Sequence, residues 1–223
     1  MKRQTSLVFR TWGGARKGAG RKPTGAKAGA PHTRRPKVDA RVPLHLTMRV
    51  AGVPSLRSQQ CIKVMRAAFS GGKERFGFRL VQYAVQPNHL HLIVEAKDKR
   101  ALSSGARGLA IRIAMRLNHL LRRNGKVFTE RYHAVALGSP RQVRRALAYV
   151  LLQERRHAAG RKRPLTTSLD RCSSAPGFDG FKNVAPRAGP WSDTVVEAGT
   201  WLLATGWRRH GIIDPREVPG GHS

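Results

Sequence analysis

Two histidines flank a leucine in the run QPNHLHLIVEA, residues 86–96. Side chains alternate along a strand, so His89, His91, Ile93 and Glu95 face one way and Leu90, Leu92 and Val94 the other. The second set is a core face. The first lays two imidazoles side by side, a nitrogen pair of the kind that holds a divalent metal. A solvated strand surface carrying two histidines is the competing reading of the same residues. Farther along, YVLLQ places Gln153 four residues after Tyr149, which stacks the two side chains one helical turn apart. At 100° per residue, Val143, Leu147, Val150 and Leu151 form one stripe, and Tyr149 and Gln153 fall outside it. A tyrosine that only filled a core would lie in the stripe. Its phenol is a nucleophile able to form a covalent ester. An ordinary phenol, with a pKa near 10, is protonated at pH 7, so nearby cations or a metal must assist it.

The elements that must position these groups follow from pattern. RVPLHLTMRV alternates as a half-buried strand, and the segment with Ile62, Met65, Ala68 and Phe69 at helical spacing ends in glycines. FGFRLVQYAVQP is a second strand that turns through QPN into the histidine strand. A long helix over residues 102–123 carries the stripe Leu102, Ala106, Leu109, Ile113, Leu117 and Leu120, with Arg107, Arg112, Arg116 and Arg123 mostly off it. VFTERYHAVAL is a fourth strand. Ser139 and Pro140 then open the tyrosine helix as N-cap and first residue. Strand, helix, strand, strand, helix, strand, helix is an α+β order. It specifies a ferredoxin-like split βαβ antiparallel sheet with helices on one face, an extra C-terminal helix bearing the tyrosine, and the opposite face free for ligands.

The pattern resembles that of the HUH-superfamily single-tyrosine transposases, closest to the REP-associated tyrosine transposases. The likeness runs from about Arg41 to Ala158. It rests on LHLTMRV, VQPNHLHLIVEA, GKVFTERYHAVAL and ALAYVLLQERRHA. The resemblance implies that His89 and His91 ligate Mg²⁺ or Mn²⁺, that Gln153 is a third ligand, and that Tyr149 is the catalytic nucleophile. It implies cleavage and rejoining of single-stranded or hairpin DNA through a 5′-phosphotyrosine. Close relatives carry Asn-Pro where this chain has Gln153-Glu154, so here the helix can continue. His45, on the first strand, is expected to share the histidine face as a DNA contact or structural partner. Glu95 is either a further ligand or a solvated strand-end carboxylate, and His133 is structural. The resemblance further implies a bacterial cytoplasmic, nucleoid-associated protein acting as monomer or homodimer.

Composition supports a polyanionic partner. Lys and Arg number 43 against 12 Asp and Glu, a net charge of +31 over 223 residues, and an excess of one sign on this scale favours nucleic acid. No apolar run has the length of a membrane span, and Cys61 and Cys172 form no metal or redox motif. Residues 12–37 are rich in Gly, Ala, Pro and cations, with almost nothing to bury, which predicts a basic disordered arm over residues 1–40. Within it, Arg21 and Lys22 in GRKP resemble an AT-hook core, or serve as a plain electrostatic tether. Arg112, Arg116, Arg144 and Arg145 are candidates for a DNA path. Residues 41–160 form the catalytic domain. Residues 161–223 form a loop and short helical tail, in which Trp201, Leu202 and Leu203 dock back. Two other readings remain: a domesticated DNA binder that does not cleave, and a metal phosphodiesterase that uses water. An RNA-recognition sheet would carry stacking aromatics where His89 and His91 stand.

Overall fold

The computed structural model describes residues 38–165 and 168–220. The arm, with Arg21 and Lys22, lies outside the described residues. Leu44, Leu46 and Met48 alternate inward along β1 (Leu44–Arg49). In α1 (Gln59–Ser70), the Ser58 side chain caps the first turn by accepting the Cys61 N–H, and Cys61, Ile62, Met65, Ala68 and Phe69 are buried. A short β2 (Glu74–Arg75) leads into β3 (Phe78–Val85) and β4 (His89–Ala96). The long helix α2 (Lys99–Leu120) starts at Asp98, whose carboxylate accepts the Ala101 N–H at 2.7 Å. It seats against β3 through Gly105, where an added Cβ would stand 2.2 Å from the Phe78 side chain.

The sheet is closed by β5 (His133–Ala136), four residues at the end of the longer strand that the sequence pattern predicts. The order β2-β3-β4-β1-β5, all antiparallel, is the ferredoxin-like arrangement with one short edge strand added. Leu90, Leu92 and Val94 of β4 join Leu102, Ala106, Leu109, Ile113 and Leu117 of α2 in the core on one side of the sheet.

The other side is not free, contrary to expectation. Helix α3 (Pro140–Leu151) lays Val143, Leu147, Val150 and Leu151 on Val81, Ala84 and Ile93. A stripe that apolar is far more stable against the sheet than in water. The chain then breaks at Leu152 and restarts as α4 (Gln153–Gly160).

Residues beyond 168 complete the same core. The Val85 N–H donates to the Cys172 carbonyl, Ser174 N–H to Tyr83 and Val196 N–H to Leu80, which covers the open edge of β3. In α5 (Trp201–Ala204), Leu203 docks as expected, but Trp201 is half exposed. Trp207 takes the burial instead, because the tight turn Gly206–His210 rotates it under Phe178. Glu95 also departs from both expected roles. It is buried, pairs with Arg79 at 2.9 Å, and accepts the backbone N–H groups of Gly199 and Thr200. The carboxylate is a structural tie between β4 and the C-terminal segment.

Candidate active site

The histidines sit at the start of β4, on the same side of the sheet as Ile93, the side that α3 covers. Their Nε2 atoms face each other at 3.1 Å, with the rings perpendicular. The β1–β4 register pairs Thr47 with His91, which puts His45 diagonally adjacent on the same face. His45 Nε2 lies 3.1 Å from His91 Nδ1, and Thr47 Oγ1 lies 3.4 Å from that nitrogen. Tyr149 packs edge-on against both rings, with centroids 5.2 Å from His91 and 5.9 Å from His45.

Helix α4 supplies the fourth side. Gln153 is buried, and its Nε2 lies 3.3 Å from His157 Nε2, while its Oε1 is buried with no hydrogen-bond partner. Arg156 Nη1 donates to the Tyr149 hydroxyl oxygen at 3.1 Å, and its guanidinium lies 4.9 Å from the centre of the phenol ring. The start of α4 is fixed by Arg57, which pairs with Glu154 at 3.3 Å and bidentately with Asp170 at 2.8 and 2.9 Å. His157 and Arg156 have no counterpart in the sequence reading. Their signal was the spacing: at 100° per residue, Gln153, Arg156 and His157 lie one turn apart on a common face.

Electrostatics keeps the imidazoles neutral. Burial, then the neighbouring His45, His89, His157 and Arg156, pushes His91 down to about 3. Burial, then His133, takes His45 down to about 4. His89 is lowered by burial, His157 and Arg49. His157 is lowered by burial first, with Arg161, Arg156 and Arg57 outweighing Glu154. At pH 7 the ring lone pairs are therefore available to a cation. Among the described residues no group of three or more His, Cys, Asp or Glu side chains is arranged to hold a metal ion. The donors at hand are two imidazole nitrogens and the orphaned amide oxygen. That set fits an open divalent site with positions left for oxygen ligands.

The candidate cations divide. Arg112 and Arg116 belong to α2, across the sheet from the histidine face. Arg144 is held by both carboxylate oxygens of Glu217 at 2.8 Å, so it staples the C-terminal segment. Exposed Arg145 lies one helical turn before Tyr149. His133 is exposed on β5.

Residues 41–153 match the family described as IS200-like transposases, just over half of the chain. The chain belongs to that family. The matched region of this IS200-like transposase contains His45, His89, His91, Tyr149 and Gln153 and ends before Arg156 and His157. Among solved structures, it is similar to a REP-associated tyrosine transposase bound to a REP hairpin, at 18% identity and a TM-score of 0.47, covering 57% of this chain and 74% of that one. It is also similar to a candidate transposase from Deinococcus radiodurans R1, at 16% identity and a TM-score of 0.36, covering 49% of this chain and 84% of the other. No curated protein matches the sequence. Among the described residues no helix is long and apolar enough to cross a membrane.

Proposed function

We propose that this IS200-like transposase cleaves and rejoins single-stranded or hairpin-bearing DNA through a covalent 5′-phosphotyrosine at Tyr149. The observation that carries the reading is the convergence of two Nε2 atoms 3.1 Å apart with a phenol ring whose centroid lies 5.2 Å from that of the His91 ring. His89, His91 and the Gln153 oxygen would hold Mg²⁺ or Mn²⁺, which supplies Lewis-acid polarisation of the scissile phosphate when bound. The Tyr149 oxygen attacks phosphorus in line. A new O–P bond forms as the P–O3′ bond breaks, the phenol loses its proton, and the departing 3′-oxygen gains one. Rejoining is the reverse attack by a 3′-hydroxyl. It needs no external energy, because the ester is conserved.

Arg156 aims the phenol and sets a positive charge beside the reacting oxygen. Arg145, one turn before Tyr149, lies where it can meet the DNA backbone. The basic arm over residues 1–40 adds sequence-independent phosphate affinity, with the catalytic domain spanning residues 41–160 and the C-terminal segment bracing it. The constellation can be built from the side chains of one chain, so the reading takes a monomer as the catalytic unit, with a homodimer as the alternative.

The test is incubation of the full chain with Mn²⁺ and end-labelled single-stranded DNA carrying a hairpin. A denaturation-resistant adduct that disappears in Tyr149→Phe and His89→Ala is the expected result. Cleaved products without adduct would replace this reading with a water-using phosphodiesterase. Salt-sensitive binding without cleavage would replace it with a DNA-binding protein.

A further inference from the structure

Each of the three proposed metal donors has a second polar atom, and each of those atoms is engaged by a residue outside the donor set. His89 Nδ1 lies 2.8 Å from Asn88 Oδ1, an oxygen that can only accept, a pairing that calls for the ring proton on Nδ1 and a bare Nε2. Asn88 is itself anchored, since its backbone carbonyl accepts the Val50 N–H at 2.8 Å. His91 Nδ1 faces His45 Nε2 at 3.1 Å and Thr47 Oγ1 at 3.4 Å, two atoms able to accept its proton and leave the His91 Nε2 lone pair toward His89. Gln153 offers its Nε2–H to His157 Nε2 at 3.3 Å, and the amide's other end, Oε1, is buried and unpartnered. With the His157 proton on Nδ1, an amide turned the other way would set its oxygen against the Nε2 lone pair, which is repulsive. In that tautomer His157 selects which face of Gln153 the site receives.

We propose that Asn88, His45 and His157 are positioning residues that fix the tautomers of His89 and His91 and the amide face of Gln153, presenting three lone pairs to one divalent cation. This deepens the metal reading above and rests on it. The physical gain is preorganisation. A ring free to place its proton on either nitrogen presents a lone pair only part of the time. An amide free to flip presents its oxygen half the time. A partner on the far atom removes both losses, and losing such a partner typically weakens metal affinity about 10–100-fold. None of the three touches the reacting phosphate in this scheme. They act through the donors.

Two measurements test the assignment on the full chain. The first needs no metal. Long-range ¹H–¹⁵N correlation spectra of the ¹⁵N-labelled, metal-free protein report the tautomer of each ring. The expected spectrum shows His89 protonated on Nδ1, and Asn88→Ala moves it toward a tautomer mixture while Asn88→Asp retains it. A wild-type His89 protonated on Nε2 overturns the proposal. The second is Mn²⁺ affinity read from the free-ion electron paramagnetic resonance signal. Asn88→Ala, His45→Phe and His157→Ala each weaken binding about 10–100-fold. His45→Gln and His157→Gln, which put an amide oxygen near the lost acceptor, recover most of it. Alanine and phenylalanine variants that bind Mn²⁺ like wild type also overturn it. Mn²⁺ binding that survives both His89→Ala and His91→Ala overturns the metal reading instead, and the tautomer spectra then decide the positioning roles alone.

Discussion

Arg156 donates a hydrogen bond to the hydroxyl of Tyr149 at 3.1 Å while its guanidinium lies 4.9 Å from the centre of the same ring. The two residues sit on different helices, separated by the break at Leu152, so the contact ties α4 to α3 at the phenol. If Tyr149 is the nucleophile proposed above, a cation stacked on its ring meets negative charge as it builds on the phosphate. Arg156→Ala is expected to slow adduct formation about 100-fold in single-turnover assays, in the range seen when one preorganised donor is lost. Arg156→Lys keeps the charge, loses the planar fork, and is expected to recover only part of the rate. An unchanged rate in Arg156→Ala would remove this residue from the chemistry.

The proposed site, with its side chains drawn from one chain, can be tested separately from oligomerisation. Mixing Tyr149→Phe with His89→Ala protein is expected to give no adduct above the sum of the two alone. Recovery of activity on mixing would mean that the nucleophile of one chain works with the histidines of another.

Acid sensitivity follows from the buried imidazoles. His91 is held down to about 3 and His45 to about 4, against an ordinary value near 6.5. Between those limits the unfolded chain binds protons that the folded chain refuses. The resulting stability is fully present above pH 6.5 and is lost as pH falls toward 4 and then 3. In chelator, the urea midpoint is expected to drop across that window, and less so in His45→Gln. A midpoint equally pH-dependent in the variant would place the effect elsewhere.

Glu95 ties the C-terminal segment to the sheet through Arg79 and two backbone N–H groups. Glu95→Ala leaves Arg79 and those donors without their shared acceptor, at a cost of about 3 kcal/mol. Hydrogen exchange is expected to show lost protection over residues 195–204 before the central strands respond. Uniform loss across the domain would argue against a local tie.

Removing residues 1–37 takes away a cation-rich segment. DNA affinity is expected to fall broadly, regardless of sequence, and the salt dependence to flatten as fewer phosphates are neutralised. Identical binding curves across a salt series would dismiss the tether.

The sequence alone carried much of this protein because some physics is local. Alternation in β4 assigned His89 and His91 to one face and Leu90, Leu92 and Val94 to the other. Ser139 and Pro140 marked the start of α3, and the periodic stripe of α2 named its buried residues. The family could be read from the same stretches, because residue types at fixed spacing need no coordinates. Glu95 and Trp201 were misplaced for the opposite reason. What a carboxylate near a strand end meets, and which tryptophan a short helix buries, depends on a segment more than a hundred residues away in Glu95's case. Coverage of the sheet's second face likewise depended on where α3 landed, and a stripe specifies that a helix will be buried without naming the surface that buries it.

His157 and Asn88 mark the same boundary inside the site. Both stood in plain view in the sequence, yet hydrogen-bond partners are choices of geometry over distances of about 3 Å, which spacing does not resolve. Sequence put His89 and His91 on one face, set Tyr149 outside the apolar stripe of its helix, and fixed the basic charge, because each follows from periodicity or composition. Only the folded chain decided that β1 would bring His45 to His91, that the break at Leu152 would turn Arg156 onto Tyr149, and that Gln153 would be left with one bare oxygen. Those contacts join strands and helices whose relative placement is set by the packing of the whole core.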